Sequence, residues 1–293
     1  MHDFRFGFTL ATPRSPRDLR EICRTAEAYG YDVALGVDHL GPDRTSPFVA
    51  AVAAAYACEE MRVGSYVLNI GFCNPSLLAR DVMSAVRLTG GRFELGLGTG
   101  VVKAQFDAAG IAWQPFQERV DRLSDTIDRL TELLAVEQDL TPPPLLLGGT
   151  GERTLTLAAG KADIVSFGGR FQVAGQPPAT LRIATAAEAE QRVAFYESIA
   201  GERAEQQERN CFVLDVEVTE DRRAAAARLA ADYAPYTTVE EALESPFLLY
   251  GTEDEIARQI LQNRERYGFS YLSVQRPHME VLGPIIKQVR SLA

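Results

Sequence analysis

Histidine is nearly absent from this chain. Three imidazoles, at positions 2, 39 and 278, are all that 293 residues supply. The four cysteines, Cys23, Cys58, Cys73 and Cys211, lie far apart with no C-x-x-C pair. That leaves no donor set for a zinc site or a disulfide framework, so reduced, buried thiols and no metal are expected. Positive charge is also short. Thirty basic side chains against 40 acidic ones give a formal charge of −10, which repels nucleic acid and anionic membranes. No run reaches the roughly 20 apolar residues of a membrane span. The opening MHDFRFGFTL lacks a basic region, a long apolar run and a small-residue cleavage site, so a cytoplasmic protein is expected. No G-x-S-x-G elbow occurs. Gly96 to Gly100 reads G-x-G-x-G and leads into a helical pattern, not a strand ending in an acid, which argues against a Rossmann site.

What is present is a regular alternation. Short apolar runs at 4–10, 32–38, 62–68, 92–98, 144–149, 163–169, 211–218 and 270–275 have the near-continuous hydrophobicity of strands covered on both faces. Helical patterns lie between them. Ser15-Pro16, Ser46-Pro47 and Asn74-Pro75 each put a capping side chain before a proline at the first helical position. Val120, Leu123, Ile127, Leu130 and Leu134 share one helical stripe, as do Leu282, Ile285, Ile286 and Val289. Thr252 and Glu255 have capping-box spacing. The pattern predicts an α/β fold, a single (β/α)₈ TIM barrel over residues 1–293; an open doubly wound sheet is the competing architecture. An excess at about 170–209, with a Gly-Gln-Pro-Pro run, predicts an insertion after strand six.

In a barrel the chemistry belongs at the C-terminal ends of the strands. Asp38 and His39 end the second, Gly98-Thr99-Gly100 the fourth, Gly148-Gly149-Thr150 the fifth, and Ser166-Phe167-Gly168-Gly169 the sixth. Histidine suits proton exchange near neutral pH, although neighbouring strand residues point to opposite sides, so Asp38 and His39 need not touch. The bland alternative makes Asp38 a loop cap and His39 a half-buried loop residue. PLLLGGTGERT places glycines before a helix start near Gly151, a geometry that gathers free N–H groups for an anion. Arg153, in that helix's first turn, fits either a bound anion or plain solvation. The acids Glu240-Glu241 and Glu253-Asp254-Glu255 read as solvated helix starts.

Several blocks together resemble a known family: AEAYGYDVALGVDHLG (26–41), VGSYVLNIGFCNPSLLARDV (63–82), RLTGGRFELGLGTG (87–100), ERVDRL (118–123) and PLLLGG (144–149), with SPFLLYGTEDEIARQI and FSYLSV near the end. The chain resembles the luciferase-like monooxygenase superfamily, and within it the oxidoreductases dependent on the deazaflavin coenzyme F420. The resemblance implies a (β/α)₈ barrel with insertions and a small-molecule substrate. It implies that Asp38 and His39 contact the ring, with His39 handling a proton. It implies a non-prolyl cis peptide between Tyr66 and Val67 behind the ring, and ring or linker contacts from Thr99 and Gly100. Gly148, Gly149 and Thr150, with Ser166, Phe167, Gly168 and Gly169, match phosphate-holding turns. A homodimer is also implied.

Two positions depart from the family pattern. Val101 stands where some sugar-phosphate dehydrogenases of the family carry a catalytic glutamate, and Gln105 where close relatives prefer an acid. Lys103, Arg170 and Arg182 are candidates for the cofactor's acidic tail on charge alone. Three readings follow: hydride transfer between F420 and a small organic substrate, an FMNH2- and O2-dependent monooxygenase, and a non-catalytic flavin-binding protein.

Overall fold

The computed structural model describes residues 2–10, 12–136, 139–177 and 179–293. Eight parallel strands close a barrel: β1 (Arg5–Leu10), β2 (Val33–Gly36), β3 (Arg62–Ser65, resumed at Leu68–Asn69), β4 (Phe93–Gly98), β5 (Leu145–Gly148), β6 (Ile164–Gly168), β7 (Glu208–Val213) and β8 (Tyr271–Val274). β1 sits between β2 and β8, with Phe8 opposite both Ala34 and Val274, and β3 pairs with β4 to complete the ring. The (β/α)₈ expectation is met.

Alternate residues face opposite ways, and the two faces do different work. Phe6, Phe8, Ala34, Leu95, Leu97, Val165 and Phe167 belong to the outer core under the helices. Val33, Leu35, Leu146, Ile164 and Tyr271 form a separate apolar cluster with Tyr66 and Val67. Charge occupies the N-terminal end of the barrel. Arg5 bonds Glu94 and, at 2.6 Å, Glu208, while Arg62 Nε meets Glu94 at 2.6 Å.

Most helix starts follow their sequence signals. Ser15 Oγ accepts the Asp18 N–H at 3.1 Å, Asn74 accepts from Ser76 and Leu77, and Thr252 with Glu255 forms the capping box. Ser46 makes no capping bond, so Pro47 alone marks the start of Pro47–Ala57. Both apolar stripes are buried as expected. Three cysteines are buried and Cys73 is half-buried; all four are free thiols.

Asp38 and His39 lie just past the end of β2 at Gly36, the 62–68 run breaks after Ser65, and the largest differences from the sequence reading come later in the chain. The run at 211–218 is two strands: β7 begins earlier, at Glu208, and ends at Val213. Asp215–Val218 leaves the barrel to pair with Leu248–Gly251 in a separate parallel ribbon. The charged pair Glu208-Arg209 hides the true start, because Glu208 is buried by its bond to Arg5. After β6 the chain forms an antiparallel hairpin, Arg170–Gln172 with Leu181–Ile183, and then the helix Ala186–Ala200 runs back to β7. Pro178, the last residue of the Gly-Gln-Pro-Pro run, lies outside the described residues. Among the described residues, no helix is long and apolar enough to cross a membrane.

Candidate active site

The C-terminal rim of the barrel holds a cavity of about 300 Å³. Its walls come from the ends of β2 to β5 and the helix starts behind them. A larger hollow of about 580 Å³ lies at the opposite end, around Arg5, Asp32, Arg62 and Arg290. There the cations pair with Asp32, Glu94 and Glu208, and strand N-termini, not C-termini, form the rim. The smaller cavity is where barrel chemistry is placed.

Asp38 and His39 both line it, but they bond to different partners. Asp38 Oδ2 accepts the backbone N–H of Asn69 at 2.8 Å, tying the end of β2 to the end of β3. Burial pushes its carboxyl above the usual range, while the Asn69 N–H and nearby His39 hold it back. His39 Nδ1 lies 3.2–3.3 Å from the side-chain amide of Gln105. Nε2 has no partner among the described residues, so it is the nitrogen free for a ligand.

The break in β3 forms the floor. The Tyr66–Val67 peptide is cis, where the resemblance placed it. The Tyr66 ring stacks on Phe212 at 5.1 Å between centroids, and its hydroxyl meets Ser166 Oγ at 2.5 Å. Ser166 donates to Asn210 Oδ1 at 2.8 Å, and Asn210 Nδ2 donates to Ser273 Oγ at 3.0 Å. This buried chain crosses the barrel directly beneath the cavity and fixes the ring, because a buried hydroxyl without a partner is costly. Val67 packs against β4 so closely that a Cβ at Gly98 would stand 2.5 Å from its Cγ2.

Thr99 and Gly100 form the next wall. Gly100 has φ +75°, and a Cβ there would meet Asn69 Oδ1, so only glycine fits. Behind this turn sits Arg119, buried and flat on Trp113 at 3.8 Å. Its guanidinium donates to the carbonyl oxygens of Thr99 and Gly100, and burial lowers its pKa.

Gly148, Gly149 and Thr150 complete the cavity with Gly151 and Thr154. The helix Glu152–Lys161 starts here with Gly151 at its N-cap and no side-chain cap, so its first N–H groups are open to an anion. A Cβ at Gly148 would meet nothing closer than Ser166 at 3.6 Å, so bare backbone faces the space.

Thus nine of the thirteen expected residues line the cavity: Asp38, His39, Tyr66, Val67, Thr99, Gly100, Gly148, Gly149 and Thr150. The β6 group does not. Ser166 lies below the floor, and the Phe167 ring points outward against Tyr196 and Phe269. Gly168 lies beside Thr150, and Gly169 packs on Phe247. The cations considered from sequence are engaged elsewhere. Lys103 pairs with Asp107, Arg153 with Asp121 and Arg182 with Glu188, and Arg170 donates to the Tyr233 hydroxyl. Residues not foreseen are Asn69, Val102, Phe116 and Thr154. Thr154 is the one with a readable signal, since a threonine in the first turn after a glycine loop turns back toward that loop.

Known proteins resemble this chain. The luciferase-like monooxygenase family matches residues 2–271. An F420-dependent glucose-6-phosphate dehydrogenase from Kribbella flavida is 33% identical over 141 residues, which is 45% of this chain and 42% of that protein. The chain thus matches under half the length of that curated relative. Among solved structures, an F420-dependent secondary alcohol dehydrogenase bound to an F420-acetone adduct superposes with a TM-score of 0.76 at 16% identity, covering 99% of this chain and 100% of that one. A riboflavin lyase with modified FMN and riboflavin gives 0.75 at 14% identity, covering 99% and 92%. The likeness in structure carries the fold, and the match across residues 2–271 carries the lineage: the chain is a member of the luciferase-like monooxygenase family.

Proposed function

We propose that the protein is an oxidoreductase using coenzyme F420, with the deazaflavin ring in the rim cavity and hydride passing between it and a small organic substrate. The observation that carries this reading is the cavity's lining: an apolar floor at Val67, walls that carry the Asp38 carboxylate and, among the described residues, no lysine or arginine, and the uncapped N–H groups at the start of the helix Glu152–Lys161. At about 300 Å³ it lies at the small end of the range for small-molecule sites, which suits a flat ring with its linker leading outward. A ring on Val67 would present its other face to His39. The Gly149–Thr154 turn would take the phosphate. When bound, the cofactor supplies or accepts a hydride.

The chain's own residues then have distinct tasks. His39 holds or takes a proton at Nε2, while Gln105 fixes the ring through Nδ1. Asp38 positions Asn69 and the cis segment. Val67 and Phe116 exclude water. The F420-dependent relatives support this choice of cofactor over FMN. The neighbour containing modified FMN keeps the monooxygenase as the second reading, because the same turns serve either phosphate. A homodimer belongs to the same reading, supported by the helix Pro47–Ala57, which carries no charge yet exposes Val49 and Tyr56. Sedimentation of a monomer at working concentration would contradict it.

The test is a fluorescence titration of the purified protein with F420 and, separately, with FMN. F420 is expected to bind more tightly. His39→Ala should retain F420 while losing about 10²- to 10⁴-fold in turnover, the usual worth of a positioned proton donor. Tighter FMN binding moves the assignment to the second reading. Binding without turnover of any acceptor favours the non-catalytic one.

A further inference from the structure

We infer that the substrate is an uncharged, mainly apolar molecule with one carbonyl or hydroxyl oxygen, and that this chain does not take a phosphorylated sugar. The inference rests on the rim cavity being the reaction site.

Three observations carry it. First, no lysine or arginine lines the cavity among the described residues. The nearest cations are already engaged. Lys103 Nζ reaches both Asp107 oxygens at 2.7 Å, Arg153 bonds Asp121 at 2.6 Å, and Arg119 is held between Trp113 and two backbone carbonyls. The uncapped N–H groups at the start of the helix Glu152–Lys161 are taken by the cofactor's phosphate, so a second anion would enter without a counter-charge. Second, the lining exposes apolar side chains to water. Val101 is 83% exposed, and Val102 and Phe116 are also exposed beside it. Apolar groups left open at a concave site gain most from an apolar ligand. Third, the polar pair left for recognition is His39 with Gln105, 3.2 Å apart. An amide beside an imidazole offers both a hydrogen-bond donor and an acceptor, which suits a single ketone or alcohol oxygen.

Saturation-transfer NMR with cyclohexanone and glucose 6-phosphate as probes tests this, on both the F420-loaded and the cofactor-free protein. F420 retention is read separately by its absorbance after gel filtration, so a failure to load contradicts the cofactor assignment while cyclohexanone in the cofactor-free arm still tests the apolar lining. Cyclohexanone is expected to receive saturation in both arms, and glucose 6-phosphate none in the F420-loaded arm, where the cofactor's phosphate already fills the anion turn. Val101→Lys, at an exposed position that tolerates the change, should weaken cyclohexanone about tenfold, as loss of an apolar contact does. Glucose 6-phosphate binding to the F420-loaded protein as tightly as cyclohexanone overturns the inference. So does cyclohexanone binding that Val101→Lys leaves unchanged.

Discussion

Asp38 shows how one side chain can be both site and scaffold. It lines the cavity, yet its Oδ2 is spent on the Asn69 N–H, the bond that holds the resumed end of β3 against β2. Removing the carboxylate leaves that amide unsatisfied, a loss of about 2 kcal/mol for a hydrogen bond to a charged acceptor. Asp38→Ala is therefore expected to lower stability by that amount in urea unfolding and to weaken F420 binding in the same variant. A change within about 0.5 kcal/mol, the size of an ordinary surface substitution, would show that Asp38 is a plain loop residue. That bland alternative was open on sequence alone, because the partner of Asp38 lies 31 residues away. The pairing of His39 with Gln105 was hidden for the same reason, at a separation of 66 residues.

At the scale of elements, the broken strand β3 governs the floor. Val67 fits only because β4 carries glycine at 98, where a Cβ would be 2.5 Å from Val67 Cγ2. Gly98→Ala must push Val67 upward into the cavity or force β4 away from it, an overpacking cost of about 1–3 kcal/mol. The expected outcome is a folded protein that no longer binds F420 in a fluorescence titration; undiminished binding would mean that the ring does not rest on Val67. Strand parity explains what the sequence reading of β6 left unresolved. Ser166, Phe167, Gly168 and Gly169 were grouped as one turn, but alternation sends Phe167 to the outer core and Ser166 inward beneath Tyr66. The eight apolar runs made the barrel legible. The ribbon of Asp215–Val218 with Leu248–Gly251 was not, since a strand that leaves a barrel for a distant partner looks like its continuation.

Across the whole molecule, polar chemistry is divided between the two ends of the barrel. The rim cavity is nearly uncharged, whereas the base carries Arg5, Arg62, Glu94 and Glu208 in contact. Burial pushes the Glu208 carboxyl up to about 7 against an ordinary 4.5, although Arg5 pulls it down. The folded state therefore keeps this proton after the unfolded chain has lost it. Stability from Glu208 is full below about 4.5 and falls as pH rises toward about 7, by at most about 1.4 kcal/mol per pH unit. Urea midpoints at pH 5 and 7.5 should show wild type losing ground relative to Glu208→Gln; the opposite slope would contradict the burial argument. The charges that make this base were visible in the sequence, but their convergence from four strands required the closed ring.

The most direct measurement is a crystal structure of the protein with F420. The expected density puts the tricyclic ring on Val67 with His39 Nε2 over its other face, and the phosphate on the first amides of the helix Glu152–Lys161. A ring bound in the hollow around Arg5, Asp32 and Arg290, or a phosphate held by arginine side chains away from that helix start, would contradict the account.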